Sequence, residues 1–405
     1  MVSESKKAAP GAWASRAGVL GGLRLFAGAL CAAVSLLALF KAPTSLLFKV
    51  AVGVTEWGHL LALVSLLPLL PGWRKTRAGQ VGAALGVFAA LVSISSLVRA
   101  VVVAQEVPRR LGAAFGDEPP RTSPNAPSRP APLVLTDLIA GVPSPSVSTT
   151  TLTYATREGQ SLQLDLYRRQ GTEDAPAPLV VVVHGGSWEG GNRADFPPLS
   201  NYLAARGYVV ASIDYRLAPQ HPFPAARDDL LDAIAYLREN AASLGIDPGR
   251  IVMLGRSAGA QLALLVAYTA NDPAIRGVVS FYGPTDFPYL YTHPTNPAVL
   301  DSDRIIKQYL GGGLEQAPAT YDAASPVSFV GTDTPPTLLI HGGRDELVWP
   351  IHSQLLAERL EAAKRPYVLL DLPWATHGCD FNFTGPCGQI STYAVERFLA
   401  AVVRE

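Results

Sequence analysis

The sequence predicts an α/β protein: a mostly parallel, doubly wound sheet preceded by three transmembrane helices. Two observations carry this. Three apolar runs of about 20 residues occupy the front of the chain. From about Ser148 onward, short β-rich runs alternate with amphipathic helical ones, the pattern of strands and crossover helices. A charged fraction of 16% in 405 residues is low against the roughly 25% of a soluble domain, which puts part of the chain out of water. The net charge of +0 supplies no basic field, so no nucleic-acid partner is expected.

The apolar runs are 19–40, broken only by Arg24, Cys31 and Ser35; 50–70, carrying Glu56 and His59; and 81–103, with Arg99 near its end. Each is long enough to cross a hydrocarbon core as a helix. A soluble bundle would show charged faces, which these lack. A cleaved signal peptide would not be followed at once by two further runs. Lys6, Lys7 and Arg16 precede the first run, and Arg74, Lys75 and Arg77 separate the second from the third. With an odd number of spans both groups lie on one side, read as the cytoplasm, so the remainder is extracytoplasmic. Arg109 and Arg110 weigh mildly the other way. The expected organisation is a multi-pass membrane region at 1–105 in contact with the lipid bilayer, a Pro-rich linker at 106–147, and a catalytic domain at 148–405. The prolines of 118–132 predict extended chain.

Strands are expected at 149–154, 162–167, 179–183, 208–213, 251–254, 277–281, 337–340 and 367–370. Helices are expected at 199–205, 225–240, 258–269, 352–364 and 390–403. Continuously apolar strands such as 179–183 suit a sheet covered on both faces.

Three motifs carry the chemistry. Gly255-Arg256-Ser257-Ala258-Gly259 lies between the strand at 251–254 and the helix at 258–269. That context lifts the serine above the sheet edge, at the positive end of a helix, as a nucleophile requires. His184-Gly185-Gly186-Ser187-Trp188 follows the strand at 179–183, and its small residues let backbone N–H groups approach an oxyanion. Gly186 and Ser187, with the amide of Ala258, are the candidate donors; a plain glycine turn is the alternative for this segment. Asp345, after the strand at 337–340, can accept the Nδ1–H of a histidine. Glu346 beside it is chemically able to do the same. Among seven histidines, His377 alone follows the last strand in a loop at the carboxyl edge of the sheet. Ser257, Asp345 and His377 stand in the chain order of a strand–turn–helix nucleophile fold. Together these are the parts of an acyl-transfer hydrolase. No metal or organic cofactor is implied.

Residues from about 150 to 405 resemble an α/β-hydrolase of the carboxylesterase-like branch, which includes hormone-sensitive-lipase-type and feruloyl/acetyl esterases. Tyr215-Arg216-Leu217-Ala218-Pro219-Gln220-His221-Pro222-Phe223-Pro224 and Tyr282-Gly283-Pro284-Thr285-Asp286 also resemble that branch. The resemblance implies Ser257 as nucleophile, Asp345 as acid and His377 as base. Ser187 stands where hormone-sensitive-lipase-type enzymes usually have a third glycine, and Trp188 resembles formamidase and feruloyl-esterase-like members.

The expected reaction is hydrolysis of a small-molecule carboxylic ester through an acyl-enzyme. An amide or formamide hydrolase, or a serine peptidase, would use the same residues; a tethered non-catalytic binding module is the reading from another class. Segments 188–198 and 287–324 are candidate pocket walls, with Trp188 and Phe287 as substrate-binding residues and Tyr289, Tyr291 and Trp374 as further aromatics. Cys379 and Cys387 are close enough in sequence for a disulfide pinning the loop after His377; two unpaired thiols are the alternative.

Overall fold

The structure, a computed structural model, describes residues 10–404 except 124, 143, 144, 146 and 172–175. The chain divides into two compact units, residues 1–99 and 100–405.

The first unit is helical: α1 (Pro10–Ser35), α2 (Ser45–Glu56), α3 (Gly58–Ser65) and most of α4, which runs Arg77–Phe115. Arg16–Ala38 and Arg77–Phe115 are long and apolar enough to cross a membrane. The middle apolar run is not one straight helix. It breaks at Trp57, and the two halves meet at 87°. The described residues thus hold two such helices, or three spans if the bent pair counts as one. Hydropathy sums side chains and is blind to this break, where Trp57 leaves helical angles and a poor helix former, Gly58, follows. α1 and α4 touch backbone to backbone, since a Cβ on Gly28 would lie 2.2 Å from the Gly82 carbonyl oxygen.

In the second unit the last turns of α4 lead to a short helix, α5 (Asp137–Ala140). Eight strands follow: β1 (Val147–Arg157), β2 (Gln160–Arg169), β3 (Ala177–Val183), β4 (Val209–Ile213), β5 (Ile246–Arg256), β6 (Ile275–Phe281), β7 (Thr337–Gly342) and β8 (Tyr367–Leu372). They form one sheet in the order β1-β2-β4-β3-β5-β6-β7-β8. β1 and β2 pair antiparallel, as do β2 and β4; all later pairings are parallel, with Val181 opposite Met253 and Val279 opposite Leu338. Between and after the strands lie α6 (Pro197–Ala205), α7 (Ala225–Glu239), α8 (Ala241–Leu244), α9 (Ala258–Thr269), α10 (Phe287–Thr292), α11 (Ser302–Leu310), α12 (Pro318–Ala324), α13 (Ile351–Ala362) and α14 (Pro386–Val402). One core holds Leu230 of α7 and Leu262 of α9 against Val181 and Met253; the other holds Leu203 of α6 and Phe398 of α14 against Val180 and Val252. Alternate residues of each strand feed the two cores, as the pleat dictates.

Two expectations need correction. The helix of the third apolar run does not end near 103 but continues to Phe115, through Pro108, and Ala104, Val107 and Leu111 join the second core. Glu106, Arg109 and Arg110 ended the apolar run without ending the helix, because they are good helix formers. The Pro-rich stretch, expected as an extended linker, is anchored on α14 at Arg129. Arg129 is 2% exposed; its amide donates to Glu396 Oε2 at 3.1 Å and its guanidinium pairs with Asp137 at 3.2 Å. Prolines remove backbone donors and regular structure, not the capacity to dock.

Candidate active site

β5 ends at Arg256, and Ser257 turns the chain into α9 with φ +53° and ψ −121°. A non-glycine residue there is held against its preference, and the Ser257 amide is tied to Phe281 O at 2.9 Å. The turn also depends on Gly259: a Cβ there would lie 2.2 Å from His184 O and 2.3 Å from Val183 O. The first turn of α9 therefore lies directly against the end of β3, which carries the His184–Trp188 loop. In that loop Gly186 has φ +115°, and Ser187 and Trp188 are also left-handed, at +56° and +59°. The amides of Gly186, Ser187 and Ala258 are spent on no other protein group among the described residues. Ser187, Trp188, Ser257, Ala258 and His377 line one small cavity of 40 Å³.

β7 and β8 deliver the other two groups. Asp345 follows β7 in a tight loop and is 1% exposed. Its Oδ1 accepts from the amides of Leu347 and Val348, both at 2.9 Å, and its Oδ2 lies 2.6 Å from His377 Nδ1. His341 Nε2 stands 3.3 Å from the same oxygen. Burial pushes the Asp345 carboxyl up, but attraction to His377 and hydrogen bonds with His341 and His377 outweigh it and hold the group well below its ordinary range. The site therefore presents an ionised acid to one nitrogen of His377. A larger cavity of 1030 Å³ lies at the amino ends of β6 and β7, by Ile275 and Pro336, and contains none of these groups.

The other histidines of the second unit have further partners of their own, His221 facing Glu158 at 3.7 Å. His184 stacks on Tyr215 at 4.2 Å; His341 meets Ser353 Oγ at 2.7 Å and Val348 O at 2.9 Å; His293 stacks on Tyr289 at 4.0 Å. His352 is fully buried, and burial pulls its ring down to about 3.

Of the two expected substrate-binding aromatics, Trp188 lines the cavity, with its Nε1 donating to Gln261 Oε1 at 3.0 Å. Phe287 does not. It is fully buried beneath Trp188, at 5.4 Å, because Asp286 caps α10 and turns the first residue of that helix into the core. Trp374 is likewise fully buried. Cys379 and Cys387 are joined by a disulfide that closes the loop after His377.

One cluster draws on two motif residues, Arg256 and Tyr282, to which the sequence assigned no role. Arg256 is buried with its Nε 2.6 Å from Asp380 Oδ2, and the Tyr282 hydroxyl donates to the other carboxylate oxygen. The Tyr282 ring packs on His377 at 4.4 Å. Burial and the Asp380 charge push the Tyr282 phenol well up, so it stays a donor. An arginine beside Ser257 at a strand end signals a need for a buried anion; which residue supplies it has no local mark, since Asp380 lies 124 positions away. Among the described residues no group of three or more His, Cys, Asp or Glu side chains is gathered as for a metal ion.

An eight-stranded, mostly parallel sheet with a serine on the turn from β5 into α9 defines the α/β-hydrolase class. The family model BD-FAE matches residues 164–360. Esterase LipC of Mycobacterium tuberculosis (strain ATCC 25618 / H37Rv) is 36% identical over 259 residues, covering 60% of this chain and 62% of that protein. Carboxylesterase NlhH of Mycobacterium tuberculosis (strain CDC 1551 / Oshkosh) is 33% identical over 250 residues, covering 56% of this chain and 73% of NlhH. The chain belongs to the family of these esterases. It spans about three-fifths of the length of LipC. Among solved structures, a bacterial heroin esterase shares the fold with a TM-score of 0.57 at 23% identity, over 67% of this chain and 89% of that one.

Proposed function

We propose that this protein is a membrane-anchored serine hydrolase that cleaves carboxylic esters. The observation that carries the proposal is the Asp345–His377 pair at 2.6 Å beside a cavity that Ser257 also lines. In the reaction, His377 Nε2 takes the Ser257 proton as Oγ attacks the ester carbonyl carbon. The oxyanion is held by the amides of Gly186, Ser187 and Ala258, and Asp345 stabilises the imidazolium. The intermediate collapses, the carbonyl carbon–alkoxy oxygen bond breaks, and His377 returns its proton to the departing alcohol. His377 then deprotonates a water that attacks the acyl-serine; the bond to Ser257 breaks, Oγ regains the proton, and the acid leaves.

The names of the mycobacterial relatives support an ester over an amide. The apolar helices of the first unit support anchoring in a lipid bilayer through two or three spans. The disulfide supports an extracytoplasmic position for residues 100–405, since such bonds persist in oxidising compartments.

The test is hydrolysis of a nitrophenyl acetate by the wild type and by Ser257→Ala. The variant is expected to lose about 10⁴-fold or more in kcat. A fluorophosphonate probe should label the wild type and not the variant. Equal hydrolysis by both proteins would defeat the proposal, and a wild type that neither reacts nor labels would favour the binding module. Residues 1–99 should hold the protein in the membrane fraction through alkaline carbonate washing; release would refute the anchor.

A further inference from the structure

We infer that His341 is a positioning residue for Asp345, and that Ser353 sets which nitrogen of His341 carries the hydrogen. The aspartate thus has a second, buried imidazole–hydroxyl arm in addition to His377. This rests on Asp345 acting through His377 as proposed above.

The arm is built by the loop after β7. His341 is the penultimate residue of that strand, and a turn from Gly342 O to the Asp345 amide, at 3.0 Å, folds the aspartate back over it. A Cβ on Gly342 would lie 2.4 Å from Ala375 O, so the same loop packs main chain to main chain on the segment leading to His377. His341 Nε2 lies 2.9 Å from Val348 O and 3.3 Å from Asp345 Oδ2; its Nδ1 lies 2.7 Å from the Ser353 hydroxyl oxygen. A carbonyl oxygen only accepts, so Nε2 is assigned the hydrogen. In the neutral ring the lone pair then falls on Nδ1, where the Ser353 hydroxyl donates. His341, Asp345 and Ser353 are each 1% exposed.

An ionised carboxylate offers about four acceptor positions, and Asp345 uses them all. Oδ1 takes the amides of Leu347 and Val348, and Oδ2 faces His377 and His341. Buried from bulk water, the group cannot replace a lost donor, so every one of the four bears on how it holds His377. Val348 ties the arms together: its amide donates to Asp345, its carbonyl accepts from His341, and its side of the loop lines the cavity beside Ser257. The other ionisable groups near the ring do not substitute for it. Asp371 pairs with His341 in the β7–β8 register but is exposed, and His352 of α13 is kept neutral by burial.

The test uses the whole chain in detergent, a nitrophenyl acetate and three variants. His341→Phe keeps a ring and removes both nitrogens; kcat/KM should fall roughly 10- to 100-fold through misplacement of the carboxylate. His341→Gln, whose side-chain amide can donate to the same oxygen, should recover at least about fivefold of that loss. Ser353→Ala alters no group bonded to Asp345 or His377, yet should cost about three- to tenfold, because the ring is then free to move its hydrogen to Nδ1. A carboxylate with one donor fewer stabilises the His377 imidazolium more. The acid limb of the kcat/KM profile should therefore move up by roughly half a pH unit in His341→Phe and stay in place in His341→Gln. A role in folding alone would lower the folded fraction, read by circular dichroism, without moving that limb. An unmoved limb in His341→Phe, or no recovery in His341→Gln, overturns the proposal while fluorophosphonate labelling of Ser257 leaves the esterase reading standing. If His341→Phe does not fold, wild-type kcat/KM in Ser353→Ala overturns it. Absence of labelling in the wild type removes both readings.

Discussion

The loop after β7 and the loop after β8 each bring a buried aspartate to the neighbourhood of His377, and the two carboxylates are used differently. Asp345, in the first, is 1% exposed and faces imidazoles: His377 at 2.6 Å and His341 at 3.3 Å. Asp380, in the second, is 7% exposed and faces a permanent cation, Arg256, together with the Tyr282 hydroxyl. A carboxylate whose partner gains and loses a proton can follow a reaction. One tied to a guanidinium cannot, and serves to hold the Tyr282 ring where it meets the histidine.

That difference can be broken or sharpened by experiment. The largest effect is expected from Asp345→Asn, which keeps the shape but removes the charge: kcat/KM for a nitrophenyl acetate should fall about 10³–10⁴-fold with the fold intact by circular dichroism. Asp345 is held below its ordinary range, so its stabilisation is in place above about pH 4 and lost as the pH falls through its folded value. Asp380→Asn should do the reverse. Leaving Arg256 buried without its carboxylate should cost about 3–5 kcal/mol of stability in denaturant titration. Turnover per folded molecule should drop only roughly 10- to 100-fold through misplacement of His377. If the two variants lose turnover equally, the contrast between the loops fails.

Smaller again is the disulfide. Replacing Cys379 and Cys387 together by serine should lower stability by about 2–3 kcal/mol, from restored freedom of a short loop, with Tyr282 and Asp380 still in contact. The finest effect belongs to His352, neutral in the folded state down to about 3 but ordinary when unfolded. The unfolded chain binds the extra proton between those values, so stability contributed by this site falls as the pH drops from about 6.5. His352→Gln should flatten the acid side of the stability profile by up to about 1.4 kcal/mol per pH unit. A profile of unchanged slope would show that the ring is not the proton acceptor.

Much of the second unit was legible because its signals are local. Eight expected strands overlap the eight observed, since runs such as Leu179–Val183 are apolar on both faces and bounded by turn residues. Ser257, Asp345 and His377 could be singled out for the same reason: each sits in a short segment just past a strand. What was missed depends on partners distant in sequence or on backbone geometry. α10, α11 and α12 are only 6, 9 and 7 residues long, and Asp286 and Asp301 cap two of them; α11 does carry an apolar face of Ile305, Ile306, Tyr309 and Leu310, a helical signal that the reading of 287–324 as a pocket wall passed over. Phe287 was read as a pocket wall because an aromatic next to a catalytic motif looks the same in sequence whether it faces in or out. The bend at Trp57 and the extension of α4 to Phe115 were invisible to hydropathy, which reports the medium around a segment and not its path.

The contact of Gly259 with the carbonyls of Val183 and His184 has a consequence for how this site tolerates change. A single hydrogen atom is the only spacer between the turn that carries the serine and the strand that carries the proposed oxyanion donors. The two halves therefore pack main chain to main chain, so the spacing of the Ser257 backbone from the candidate amides of Gly186 and Ser187 is set by backbone, and the Ser257 rotamer sets only where its Oγ points. Under the proposed chemistry, Gly259→Ala is expected to wedge them apart and abolish turnover as Ser257→Ala does, although no reacting atom is touched.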